Sequence, residues 1–382
     1  MPLIRDETYS DIEYHQQNND HYCGPATAMM IMNTLDDDLI VQQDTLYQYL
    51  HPDDGEWYTS PDGLANGLDW LAPPAFRNRF VAKLALSEPE GTALIVAALR
   101  VVDGPLPAAL VYGKGHWVVV TDADVTSGAD GSLVVNGLVL NVPSQTPLNP
   151  PLPHDDEDFC GSNAGFGVLN KQYYVSYEAW KRELFTGYPS ADSTLRYAVV
   201  CTDDVDAAGV QIDPSAGRIR SSATFRVETM RDTLPIGPDE ACDVLLNAIA
   251  DRRLHYSAAL TEVESAYQAG EPQLVSRLDV PGAHYYLIPL LRANSQVALG
   301  RVDAQQGSFM GFSSSAGSEP ALHDARGLRY ASPQVVPDLV WRPCRESPSP
   351  LEPFHRVIGP DGIAFRSQAG RTFSALTPFG AG

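Results

Sequence analysis

The chain has 382 residues, enough for two or three domains, and carries 48 acidic against 26 basic residues for a net charge of −22. That balance argues against a nucleic-acid or anionic-membrane surface, since both need a basic patch. It reads first as a solubility feature and second as a match for a substrate with basic residues.

Residues 1–16 read as an irregular lead-in, with His15 and His21 as surface or spacer residues. The run Gln17-Asn18-Asn19-Asp20-His21-Tyr22-Cys23-Gly24-Pro25-Ala26 then leads into ten residues, 26–35, without Gly or Pro and apolar on most faces. This predicts a buried central helix over 23–35 with Cys23 at its tip. A second helix is expected over 41–50, and a third from Ser60 to Leu71, with Ser60 as cap and Pro61 in the first turn. Trp57, Tyr58 and Trp70 are read as core or rim aromatics before groove residues. Glu90-Gly91-Thr92 introduces a further helix to Arg100. Strands follow over 106–112, 116–121 and 132–141, with Gly113-Lys114-Gly115 as the tight turn that delivers His116. In the middle strand Trp117 and Val119 share one face, and His116, Val118 and Val120 the other. The three strands are expected to form an antiparallel sheet packed on the Cys23 helix.

The acidic, proline-rich stretch 147–158 reads as a solvated loop rather than a metal site, and Cys160 as incidental. A strand, a Ser176 cap and a short helix are expected over 170–186, a strand over 195–201, and a linker from 203. The second part reads as a strand over 223–227, helices over 238–250 and about 256–269, and strands over 283–290, 297–302 and 308–312. The resulting division is 1–203, 215–345 and an irregular tail over 346–382. The five cysteines are widely spaced with no Cys-x-x-Cys, which argues against structural zinc and a disulfide framework. The N-terminal residues show no secretory signal pattern, and no apolar run reaches the ~18 residues of a membrane span. The expectation is a cytoplasmic protein with reduced thiols, with export by a signal-independent route left open.

The chemistry points to Cys23. Only a thiolate attacks carbonyl carbon well, and a free thiol ionises at about 8.5. A helix N-terminus with its unpaired N–H groups, and a nearby imidazolium, lower that value to roughly 3.5–7.5. Pro25 suits the first turn, where its missing N–H is not needed, and Gly24 lets the backbone turn beside the sulfur. Gln17 lies six residues before Cys23, His116 opens a β-branched strand, and Asn141 ends the next one.

On Gln17, Cys23-Gly24-Pro25-Ala26, Gly115-His116-Trp117-Val118-Val119-Val120 and Asn141, the chain resembles the papain-like cysteine peptidase superfamily over about residues 10–200. Within it, the chain resembles the bacteriocin-processing (double-glycine) peptidases and their looser relatives. The resemblance implies an α+β fold, a papain-like domain followed by an α+β accessory domain. It makes Cys23 the nucleophile, His116 the general base and acid, and Gln17 the oxyanion donor. Asn141 would orient the imidazole. Relatives often read Asn-Asp-Pro at that place; here it is Asn141-Val142-Pro143, and Asp122 and Asp124 stand as reserves for the third role. The implied activity is a peptidase working through a thioester, with a peptide or protein substrate and no cofactor or metal. An acyltransferase or peptide-amine ligase, and an inactive binding module, are the alternatives.

Overall fold

Residues 12, 14–18, 21–36, 41–51, 59–127, 133–144, 170–208, 210–212, 235–252, 268–292, 295–314, 338–359, 362–368 and 370–379 are described in a computed structural model of the chain. The first helix, α1 (Cys23–Asn33), has every residue buried, as a helix that is apolar on all sides must. Helix α2 (Gln43–Leu50) and helix α3 (Pro61–Leu71) pack beside it. The Ser60 hydroxyl accepts the Gly63 N–H at 2.9 Å, so α3 starts where its cap predicts. Strand β1 (Phe80–Ala85), which the sequence pattern did not reveal, precedes α4 (Glu88–Leu99). Helix α4 begins ahead of the expected Glu90-Gly91-Thr92 because Ser87, not that triplet, accepts the Glu90 N–H.

The centre of the molecule is the predicted three-stranded unit. Strand β2 (Ala108–Val111), β3 (His116–Ser127) and β4 (Leu133–Asn141) are adjacent and antiparallel, and α1 packs against β3. Strand β3 runs past the expected Thr121, with irregularities beside Val120 and Asp124. Then come β5 (Tyr173–Ser176), α5 (Tyr177–Ala179) running into a π-helical turn at Trp180–Leu184, β6 (Tyr188–Pro189) and β7 (Leu195–Thr202).

The second half contributes α6 (Pro238–Arg252), β8 (Gln268–Ala269), β9 (Gln273–Arg277), β10 (His284–Arg292), β11 (Ser295–Asp303) and β12 (Ser308–Ser314). Beyond these lie β13 (Asp338–Trp341), β14 (Phe354–Gly359), β15 (Gly362–Arg366) and β16 (Thr372–Phe373). The segment expected to be an irregular tail therefore contains three paired strands. The expected strand at 223–227, most of the helix expected at 256–269, the loop 147–158 with Cys160, and Trp57 and Tyr58 lie outside the described residues.

The fold is mixed α+β, with six helices and one large sheet of 16 strands among the described residues. Its path is β1-β7-β2-β3-β4-β5-β12-β11-β10-β9-β13-β14-β15-β16, with β6 paired to β7 and β8 to β10 off that path, and it is antiparallel except where β9 meets β13. The two halves meet where β5 pairs β12, in the registers Val175↔Gly311 and Tyr174↔Phe312. Val139 and Tyr174 of the first half belong to the same apolar cluster as Leu245, Phe309 and Phe312 of the second.

A charged cluster crosses the same seam. Arg301 is fully buried; its Nη2 donates to Glu183 Oε2 at 2.5 Å, and its guanidinium lies 4.4 Å from the Tyr285 ring centroid. Arg277 donates to Glu183 Oε1 at 2.7 Å and also pairs with Asp279, while Arg182 bonds Asp303 at 2.7 Å. Burial alone would raise the Glu183 carboxyl, but the Arg301, Arg277 and Arg182 guanidiniums outweigh it and hold the group below its ordinary value. No helix among the described residues is long and apolar enough to cross a membrane.

Candidate active site

Cys23 opens α1 as expected, but Gly24 is there for a different reason from the one the sequence suggested. Its φ is not left-handed; a Cβ at this place would lie 2.2 Å from Thr59 Oγ1 and 2.7 Å from Thr59 Cβ. Gly24 thus lets the chain before α3 close on the helix tip. The Trp117 indole N–H donates to the Thr59 carbonyl at 2.9 Å and fixes that approach to β3.

The sulfur of Cys23 is buried, with 7% of the residue exposed. Burial pushes its thiol up to about 11; the backbone N–H groups of Trp117, Gly24 and Cys23 itself approach the sulfur and partly offset the burial. The sulfur therefore meets the N–H of the residue that directly follows His116. The helix tip and the strand that His116 opens are thus in contact through this backbone group.

His116 is buried as well. Burial lowers its imidazole to about 3, against a smaller opposing effect from the Pro143 carbonyl, which accepts a ring N–H. Its Nε2 is buried with no hydrogen-bond partner among the described residues, so it shares no hydrogen bond with the Cys23 sulfur in this arrangement. One face of the ring is covered by Phe379, with centroids 5.8 Å apart and planes 27° apart.

Asn141 does not reach the imidazole. The register pairs Val119 with Asn141 and Val111 with His116, without a shift between residues 116 and 120. Paired residues share a face and successive residues alternate, so Asn141 projects with Val119 and Trp117, on the side away from His116. Its Oδ1 accepts the Gln172 N–H at 2.8 Å. Asp122 pairs with Val139, on that same far side, and six strand residues place it about 20 Å from His116. Asp124 accepts from the Tyr174 hydroxyl at 3.0 Å and from Asn136 at 3.1 Å. Val142 has no polar side-chain group to offer. The group that engages the imidazole is a backbone carbonyl, that of Pro143.

That carbonyl sits in a braced, irregular stretch just past β4. The Tyr14 hydroxyl donates to the Val142 carbonyl at 2.7 Å and accepts the Ser144 N–H at 3.3 Å. Asn170 donates its side-chain amide to Ser144 Oγ at 2.6 Å, and its carbonyl accepts the Val142 N–H at 2.9 Å.

Gln17 is buried, and its Oε1 has no hydrogen-bond partner among the described residues. Its flanks are clamped by Gln43 of α2, which donates to the Gln16 carbonyl at 2.6 Å and accepts the Asn18 N–H at 3.0 Å. His15, expected on the surface, is buried in the same segment. Burial lowers its imidazole to about 4, with the Asn33 side chain of α1 opposing. Tyr14, Gln43, Pro143 and Phe379 were not marked by the sequence, because each acts through a contact with residues far along the chain. Within the described residues, no group of three or more His, Cys, Asp or Glu side chains is arranged to hold a metal ion.

No protein-family model, curated protein or solved structure matches the chain.

Proposed function

We propose that the chain is a papain-like cysteine hydrolase acting on a peptide or protein acyl group. The observation that carries this reading is the junction of α1 and β3: a cysteine at the tip of a buried helix, its sulfur against the N–H that follows His116. Cys23 attacks the acyl carbon, a C–S bond forms, and its proton passes to His116. The imidazolium returns that proton to the departing amine as the C–N bond breaks. Water then attacks the thioester, giving a proton to His116, and the thiolate leaves and is reprotonated. The Gln17 amide and the Cys23 backbone N–H serve the oxyanion, a donor of this kind being worth roughly 2.7–4 kcal/mol. Pro143 C=O takes the orienting role first assigned to Asn141. An amine in place of water as acceptor would make the same site an acyltransferase.

A second reading, a papain-fold binding module without turnover, is favoured by the un-ionised pair: a thiol near 11, an imidazole near 3, and no bond between them. An acyl-trapping experiment separates the two. Incubation with a small activated peptide ester at pH 7, acid quench and peptide mapping should find the acyl group on Cys23. It should be absent from Cys23→Ala and slow to form in His116→Ala. An unacylated Cys23 under conditions that acylate free cysteine would overturn the hydrolase reading.

A further inference from the structure

The segment that covers His116 comes from the far end of the sheet, and its ring lies in a fitted slot. Phe379 stacks on Tyr112 at 5.5 Å with planes 11° apart, and on His116 at 5.8 Å. The floor is Gly115: a Cβ there would lie 2.3 Å from both Phe379 Cβ and Cγ, so only glycine leaves room for the ring. Tyr112 holds a left-handed backbone with φ 54°, a conformation a bulky residue adopts at a cost, and its ring also meets Trp341 edge-on at 6.4 Å. The slot is thus built by the turn that presents the histidine. Its occupant is tethered from elsewhere. The Thr377 carbonyl accepts the Arg345 N–H at 3.0 Å, the Thr377 N–H donates to Glu346 at 2.8 Å, and Leu376 is buried.

Resting on the reading of Cys23 and His116 as an acyl-transfer pair, we propose that the Tyr112–Gly115–His116 slot is the subsite for an aromatic side chain of the peptide substrate, and that Phe379 fills it in cis. An acyl group delivered to Cys23 must enter the space beside the imidazole. An aromatic side chain there gains ring-on-ring contact with Tyr112 and displaces Phe379 like for like, whereas a small side chain leaves the slot empty. The chain therefore selects its substrate against its own phenylalanine. Departure of that ring uncovers the imidazole face at which an acyl group bound for the sulfur must enter.

The full-length chain and two variants test this, Phe379→Ala and Gly115→Ala, each first checked for an unchanged thermal transition. Modification of Cys23 by iodoacetamide, by N-acetyl-phenylalanine chloromethyl ketone and by N-acetyl-alanine chloromethyl ketone is followed by peptide mapping. Iodoacetamide should label Cys23 at least ~10-fold faster in both variants than in the wild type, since each removes or expels the ring. Only Phe379→Ala should favour the phenylalanine compound over the alanine compound, by ~10-fold or more, because the methyl of Gly115→Ala occupies the slot. Rapid iodoacetamide labelling in Phe379→Ala with equal rates for the two ketones overturns the subsite and leaves the hydrolase reading standing. A Cys23 in Phe379→Ala that remains inert to all three reagents overturns both. If Phe379→Ala labels no faster than wild type while wild-type Cys23 is already reactive, the covering role falls alone and with it the proposal.

Discussion

At the scale of single residues, the site is governed by which face of a strand each side chain takes. Asn141 is the instructive case: its type and its place at a strand end suit the orienting role, yet one step of alternation turns it to Gln172. Asn141→Ala is expected to cost about 1–3 kcal/mol by removing the side-chain oxygen that accepts the partly buried Gln172 N–H. It should also leave the rate of Cys23 acylation within a few-fold of wild type. Chemical denaturation and the ester trap measure the two effects separately, and a large loss of acylation at unchanged stability would restore Asn141 to the site. The placing of Cys23 at a helix tip and of His116 at the start of a β-branched strand was legible in the sequence because those signals are local. The Pro143 carbonyl was not, because a backbone acceptor has no side-chain signature. The Tyr14 hydroxyl that braces it lies 128 residues from Val142.

At the scale of elements, the agreement follows the strength of local punctuation. Helix α3 starts at its Ser60-Pro61 signal, and β2, β3 and β4 fall close to their apolar runs. Strand β1 escaped because Phe80-Val81-Ala82-Lys83-Leu84-Ala85 does not alternate cleanly, and only its ends are buried. The hairpin β14–β15 was legible in principle: Gly359-Pro360-Asp361-Gly362 is a turn signal between two apolar runs, masked by the prolines around it. Helix α2 gave the plainest gap between pattern and purpose. It was expected simply as a helix over 41–50, but its buried Gln43 holds both flanks of Gln17. Gln43→Ala should cost about 1–3 kcal/mol through loss of its bonds to the Gln16 carbonyl and from the Asn18 N–H. If Gln17 serves the oxyanion, the same change should slow acylation by an ester more than it slows simple alkylation by iodoacetamide, because only the former develops an oxyanion.

At the scale of the whole molecule, the Glu183–Arg301–Arg277 cluster ties the π-helical turn of the first half to strands of the second. Glu183→Gln leaves Arg301 buried without its counter-charge, so a loss of about 3–5 kcal/mol is expected in equilibrium unfolding. The pH dependence has a definite sign. The Glu183 carboxyl ionises in the folded chain below its ordinary 4.5, so its stabilisation is complete above that value. It is lost as pH falls through the lower folded value. Wild type should therefore weaken below about pH 4.5 by a component that Glu183→Gln lacks, read from denaturation midpoints across the acid range. None of this was visible in the sequence, where Glu183 and Arg301 stand 118 residues apart in unremarkable surroundings.

The pairing of β5 with β12 makes the two halves a poor target for dissection. A fragment severed after residue 212 would carry Tyr173-Tyr174-Val175 as a raw sheet margin, its backbone N–H and C=O groups unmet and the Tyr174 and Val139 side chains stripped of Phe309, Phe312 and Leu245. Such a margin is a template for strand-by-strand self-association. Expressed alone, that fragment should precipitate or form large oligomers by size-exclusion chromatography, and co-expression with residues 213–382 should restore it to solution.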